Sequence, residues 1–304
     1  MIELMLIVRS TMNYQEFLEH VQEYFTNRLT NEQTVHIESI PKNNGTFYDG
    51  LIITDPLLNI SPTIYLHPFY NRLLSGTSLS KICNDIFAVY RYNLPSKNFD
   101  ISNFMDFSKA KQNIVMKLIN YEKNKELLKN VPYIPYLDFA IVFVCIITDF
   151  EDDYATILIQ NQQLQIWEVD TQTIYQLAQT NTPTHLPHRL KPMEDVISNL
   201  VDEDFPFVDD LPMFLLTNQF KIHGATCILY SGLLEQIANS FESNFVLIPS
   251  SIHEVILIPI NEASCNLSDY KQMILEVNET QLKKEEILSD HAYYYNRETK
   301  QLSF

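Results

Sequence analysis

Glycine is scarce in this chain: Gly45, Gly50, Gly76, Gly224 and Gly232 are the only five among 304 residues, and no two stand at a phosphate-cradling spacing. Walker-type and Rossmann-type nucleotide binding are excluded, because both need clustered glycines where backbone N–H groups approach phosphate. Basic charge is thin as well. Twenty-one Lys and Arg stand against 38 Asp and Glu, a net charge of -17, which leaves no broad positive surface for counterion release from a phosphate backbone. Direct nucleic-acid binding is therefore not expected. The four cysteines, Cys83, Cys145, Cys227 and Cys265, lie far apart without a CxxC pair, so they read as small buried hydrophobes rather than a metal or redox motif. Long apolar runs are missing: the longest, Phe139 to Ile147, falls well short of the ~20 residues that span a bilayer. Met1 to Ser10 is apolar but carries Glu3 and no basic leader, so a signal peptide is not expected and a reduced, cytoplasmic protein is. HExxH and G-x-S-x-G are absent too, and no fixed-period repeat is visible.

What is present suits a folded protein. With 46% hydrophobic and 12% aromatic residues, the chain can bury one large or two ordinary cores. Apolar residues at Tyr14, Phe17, Leu18, Val21, Tyr24 and Phe25 recur at helical intervals and predict a core-docked helix. Thr34 to Ile40 and Thr46 to Thr54 alternate around the turn residues Lys42 to Gly45, which predicts a β-hairpin. Ser61 to Leu66 continues in extended form. Short helices follow at Leu66 to Ser75 and from Thr77 or Ser78 to about Asn93. From Ser102 to about Asn130, the spacing of Phe104, Phe107, Ile114, Leu118 and Tyr121 predicts a long amphipathic helix, and Val131 to Leu137 a proline-stiffened connector.

Phe139 to Thr148, rich in β-branched residues, predicts a central strand with Tyr154 to Gln160 as its hairpin partner. Thr171 to Asn181 predicts a helix, followed by a loop holding Pro183, Pro187 and Pro192. Strands are expected at Met213 to Thr217, Ala225 to Tyr230, Phe245 to Ile248 and Val255 to Pro259. Helices are expected at Gly232 to Phe241 and Ser268 to Asn278, with an aromatic strand at His291 to Tyr295. The expected class is α+β, with mixed, largely antiparallel sheets covered by amphipathic helices. A division near Val131 to Leu137 would give an N-terminal lobe over 1–130 and a C-terminal lobe over 138–304.

Three clusters carry candidate chemistry. In Leu247 to Pro259, LIPSSIHEVILIP, Ser251, His253 and Glu254 supply a hydroxyl, an imidazole and a carboxylate. Along a strand Ser251 and His253 share a face and Glu254 does not, so a local triad is geometrically awkward and a capped turn is the simpler reading. Tyr65, His67 and Tyr70, with Ser61 and Arg72, lie at a strand-to-helix junction where either a pocket or aromatic packing can form. Glu194, Asp195, Asp202, Glu203, Asp204, Asp209 and Asp210 form an acidic stretch, either a solvated loop or a docking patch for a basic partner. His223, His253 and His291 could join Asp138 or Glu254 around zinc or iron, but no metal or cofactor is expected.

The segments Lys42 to Gly45 (KNNG), Ser61 to Leu66 (SPTIYL), Gly224 to Tyr230 (GATCILY), Pro249 to Val255 (PSSIHEV) and Leu288 to Asp290 (LSD) resemble a bacterial domain family of unknown function, found chiefly in anaerobic gut Firmicutes. The resemblance covers nearly the whole chain and implies a single family unit of bacterial, cytoplasmic origin. It implies no activity and no site residues. The leading expectation is a non-enzymatic binding or regulatory protein acting through protein–protein contacts. The alternatives are a hydrolase or metal-dependent enzyme centred on Ser251, His253 and Glu254, and an acidic inhibitor that mimics DNA.

Overall fold

The computed structural model describes residues 12–30, 32–58, 61–94, 101–147, 155–197, 212–260 and 266–304. They form an α+β fold with three open, antiparallel sheets, divided into two compact units, Met1–Lys42 with Thr46–Asp100 and Asn43–Gly45 with Ile101–Phe304. Among the described residues no helix is long and apolar enough to cross a membrane.

The first unit is built on α1 (Tyr14–Thr26), a three-stranded sheet of β1 (Thr34–Pro41), β2 (Phe47–Thr54) and β3 (Thr63–Tyr65), and the helices α2 (His67–Leu74) and α3 (Leu79–Tyr92). A capping box starts α1: Asn13 Oδ1 accepts the Glu16 N–H at 2.9 Å, and the Glu16 carboxylate accepts the Asn13 N–H at 2.8 Å, pairing two N–H groups that have no partner within the helix. Phe17, Val21 and Phe25 from α1 then pack with Leu51, Ile53, Ile64, Ile82 and Ile86. The hairpin turn places Asn44 and Gly45 at φ 60° and 63°, a left-handed pair that Asn and Gly adopt readily. Gly76, at φ 96°, follows the end of α2.

In the second unit, the expected helix over Ser102 to Asn130 is replaced. Two short helices, α4 (Ser102–Met105) and α5 (Phe107–Ala110), precede strand β4 (Ile114–Asn120) and helix α6 (Lys125–Leu128). The helical spacing misled because six of the seven β4 residues are buried, and a run buried on both faces matches any period. The expected connector is strand β5 (Tyr133–Tyr136), paired at the sheet edge with β6 (Phe139–Ile146). Pro135 faces solvent there, as an edge position permits. β6 is buried along its whole length, as expected, and also pairs with β4 and with β7 (Thr156–Leu158).

Helices α7 (Asn161–Trp167) and α8 (Thr171–His185) follow, and α8 carries Pro183 inside it. Next come β8 (His188–Pro192), α9 (Met193–Ile197) and β9 (Phe214–Asn218). The expected proline loop is thus helix end plus strand. The expected strand at Ala225 to Tyr230 is a buried 3-10 segment, Gly224–Leu229, another apolar run whose type periodicity cannot decide.

The chain finishes with α10 (Leu233–Phe241), β10 (Asn244–Ser251), β11 (Glu254–Ile260), α11 (Ser268–Thr280), β12 (Tyr293–Asn296) and β13 (Gln301–Ser303). The larger sheet runs β13-β12-β10-β11-β9-β8. Ile114, Met116 and Leu118 of β4, Phe139, Ile141 and Phe143 of β6, and Phe245, Leu247, Val255 and Leu257 of the larger sheet enter one core with α10 and α8. Val246 and Ile248 point the other way, against Ile274 of α11.

Candidate functional site

The β10–β11 hairpin carries the Ser251, His253, Glu254 segment. Ser251 pairs with Glu254 after a register irregularity at Pro249, so Ile252 and His253 form the turn itself. The backbone of that turn is tied down by side-chain and main-chain hydrogen bonds. Ser251 Oγ accepts the His253 N–H at 3.0 Å. The Ile252 N–H donates to Glu286 O at 2.8 Å, and the Ala225 N–H donates to Ile252 O at 3.3 Å. Thr217 Oγ1 donates to His253 O at 2.8 Å.

The imidazole of His253 meets a second one. The backbone N–H of His223, held at φ 52°, donates to His253 Nδ1 at 3.2 Å, and the two rings stack with centroids 5.7 Å apart and planes 13° from parallel. An Nδ1 that accepts a hydrogen bond carries no proton, so neutral His253 is protonated at Nε2. Burial holds His253 below its ordinary pKa, aided by Lys117 and opposed by Glu286 and Glu254. Burial, then Lys117 and His253, drive His223 further down. His223 Nδ1 is buried without a hydrogen-bond partner among the described residues. Both rings are neutral at pH 7.

The third histidine weighed as a metal ligand, His291, pairs with Asp138, just ahead of β6. His291 Nε2 lies 3.1 Å from Asp138 Oδ2, and its Nδ1 lies 3.2 Å from Ala292 O. Two acceptors on two ring nitrogens require two N–H groups, which is the imidazolium. The Asp138 hydrogen bond accordingly raises the His291 pKa against burial. Burial alone would raise Asp138, but the bonds from His291 and Tyr293 outweigh it and hold the carboxyl low. Tyr293 Oη sits 2.5 Å from Asp138 Oδ1 and 2.9 Å from Ser289 Oγ. Its single proton goes to the carboxylate, so the Ser289 hydroxyl is left to donate to the phenol oxygen. Burial, then Asp138, pushes the Tyr293 phenol far up. This network locks residues 289–293 onto the start of β6, and its imidazole has no free lone pair with which to act as a base.

The structure therefore sorts the candidates. Ser251, His253 and Glu254 are adjacent, but among the described residues the Ser251 hydroxyl and the His253 ring share no hydrogen bond, and Glu254 takes the Ser250 hydroxyl instead, at 3.4 Å. The three histidines fall into separate His223–His253 and Asp138–His291 groups, and among the described residues no set of three or more His, Cys, Asp or Glu could hold a metal ion.

In the first unit, Tyr70 and exposed His67 pack on Tyr14, at 5.0 and 5.7 Å between ring centroids, and Tyr70 Oη donates to Met12 O at 3.1 Å. Tyr65 joins Tyr48 and the Lys42 ammonium elsewhere, and Arg72 pairs with Asp85. Glu194 and Asp195 are exposed on α9, whereas Asp202, Glu203, Asp204, Asp209 and Asp210 lie outside the described residues. Sequence reasoning missed Lys117, Glu286, Ser289 and Tyr293 as site residues; of these, Ser289 lay inside the Leu288 to Asp290 segment and Tyr293 inside the expected aromatic strand.

The model of a family of unknown function, DUF5688, matches residues 14–297. The chain belongs to that family. Searches of curated proteins and of solved structures find no match. The match spans both units, including the His223–His253 pair and the Asp138–His291 network, and the family's description assigns no chemistry to either.

Proposed function

We propose that this protein acts by binding, as a non-enzymatic cytoplasmic regulator whose partner is a protein with a basic surface. The observation that carries the reading is the occupancy of the polar groups. Ser251 serves the hairpin turn, His253 Nδ1 serves the His223 N–H, and both nitrogens of His291 are engaged. Nucleophilic catalysis needs a hydroxyl hydrogen-bonded to a base that is itself oriented by a third group, and these side chains are committed to folding contacts instead. The net charge of -17 favours a cationic partner and speeds encounter with it. Cys83, Cys145 and Cys227 are buried free thiols, which suits a reducing compartment.

The test is affinity capture with mass spectrometry, comparing wild type with a variant in which Glu194, Asp195, Asp202, Glu203, Asp204, Asp209 and Asp210 are changed to their amides. Retention of basic proteins by wild type and their loss from the variant is the expected result. Identical partner sets would remove the reading. So would ester or peptide hydrolysis by the purified protein that His253→Gln abolishes. Capture of DNA-binding enzymes in particular would identify the DNA-mimic form of the same activity.

A further inference from the structure

We propose that a polar cleft in the second unit, between the end of α10, the start of β10 and the turn joining β12 to β13, binds a small zwitterionic carboxylate of amino-acid type. The cleft has a volume of about 550 Å³, within the roughly 300–1,000 Å³ range of small-molecule sites. Its chemistry follows from where three carboxamides point. Asn239 Oδ1 accepts Arg297 Nε–H at 3.0 Å, and Asn244 Oδ1 accepts the Arg297 backbone N–H at 2.9 Å. Asn296 Oδ1 accepts the Glu298 and Thr299 N–H groups, each at 2.9 Å. Each partner is a donor, so each amide must turn its oxygen to the protein and is left with its NH₂. These three NH₂ groups and the terminal nitrogens of Arg297 have no partner among the described residues.

An independent observation points to the same place. Ser243 lines the cleft at 8% exposure, and its Oγ has no hydrogen-bond partner among the described residues. Buried hydroxyls are nearly always paired, so an acceptor from a ligand is the natural complement. A guanidinium end, three NH₂ groups and a hydroxyl together describe a receptor for a carboxylate, which Arg binds through two parallel bonds.

The cleft also excludes ligands. Glu242 and Glu298 line it and form no ion pair among the described residues, so a phosphate or polyanion would meet two carboxylates. An ammonium group beside the ligand's carboxylate would instead find them as acceptors. The cleft lies at the open end of the β10–β11 pair, where Asn244 meets Ile260, and does not include the Ile252–His253 turn; the proposal stands whether or not the protein binds a protein partner.

The experiment is calorimetric titration of the full chain with a panel of L-amino acids, with propionate and ethylammonium as single-charge controls. At least one amino acid is expected to bind at one site, with both controls at least about tenfold weaker. Arg297→Gln should weaken that binding by about tenfold or more, and Ser243→Ala by several-fold, with circular dichroism unchanged. The proposal is overturned if no amino acid binds below ~10 mM, if propionate binds as tightly, or if Arg297→Gln leaves affinity intact. Should Arg297→Gln fail to fold, Ser243→Ala decides: an unchanged affinity overturns the proposal.

Discussion

Gly224 occupies a position with no room for one more carbon. A Cβ there would lie well inside van der Waals contact of Thr217 Oγ1 and the His253 carbonyl oxygen, and 2.9 Å from the Asn218 N. Two of these neighbours are backbone atoms of β9 and the β10–β11 turn, which cannot move without breaking their own bonds. Gly224→Ala should therefore cost about 3 kcal/mol or more, seen as a lower urea midpoint at unchanged slope. A loss under about 0.5 kcal/mol would mean that the His253 turn is loosely held. The two histidines of that region and His291 give the protein opposite pH responses. His223 and His253 have folded pKa values below the unfolded 6.5. Their stabilising contribution is whole above pH 6.5 and is lost as pH falls beneath it, because the unfolded chain then takes up protons that the folded rings refuse. His291 is raised and Asp138 lowered, so their pair contributes between the depressed carboxyl pKa and the raised imidazole pKa. His291→Gln should lower stability by ~1–2 kcal/mol near pH 6, and the deficit should shrink as pH rises through the His291 pKa. A deficit that grows on the alkaline side would contradict the imidazolium assignment.

At the scale of elements, β4 shows how an edge strand is closed without another strand. Among the described residues β4 pairs with β6 alone. Its Met116 N–H donates to Thr182 Oγ1 of α8 at 2.9 Å, and its Leu118 N–H to Thr226 Oγ1 of the 3-10 segment at 3.1 Å. Two threonine hydroxyls thus satisfy an edge that would otherwise template another chain. Thr182→Val keeps the shape and strands a buried N–H, at about 1–3 kcal/mol. Hydrogen exchange should show the Met116 amide opening faster, and an unaltered rate would mean that the hydroxyl is not its partner. These contacts also explain what the sequence could and could not reveal. Elements with one wet face were legible: α1, the β1–β2 hairpin and α10 carry a period because polar residues mark their outer sides; the β10–β11 hairpin, whose first strand is buried on both faces, was legible instead from two apolar runs flanking a polar turn. β4 and the segment Gly224–Leu229 were not, since burial on all sides removes the contrast on which periodicity depends. The Asp138–His291 bond joins residues 153 apart in sequence, and no local pattern encodes such a meeting. His253 was legible as a polar group in a turn, but its stacking partner is fixed by the left-handed backbone at His223, which no single residue type announces.

For the whole molecule the governing quantity is charge. Each unit has its own core, with Phe17, Phe25 and Ile86 in one and Phe139, Phe245 and Tyr293 in the other, so apolar burial supplies the cohesion. The net -17 works against it, because like charges repel more strongly in the compact state than in the expanded chain. Added salt shortens the reach of that repulsion from ~10 Å at 0.1 M ionic strength to ~3 Å at 1 M. Raising sodium chloride should therefore raise the melting temperature, by on the order of 2–4 °C for each kcal/mol of repulsion relieved. The variant with the seven acids of 194–210 neutralised carries seven fewer negative charges, so its gain from salt should be smaller than that of wild type. This comparison separates two roles for that stretch. If the acids only repel one another, neutralising them raises stability at low salt and leaves captured partners unchanged. If they bind a basic protein, the same substitutions remove that partner, and adding it to wild type raises the melting temperature at low salt but not at high salt. Differential scanning calorimetry at two salt concentrations, with and without the captured protein, distinguishes the cases, and a salt-independent melting temperature in wild type would show that the negative charge is too dispersed to matter.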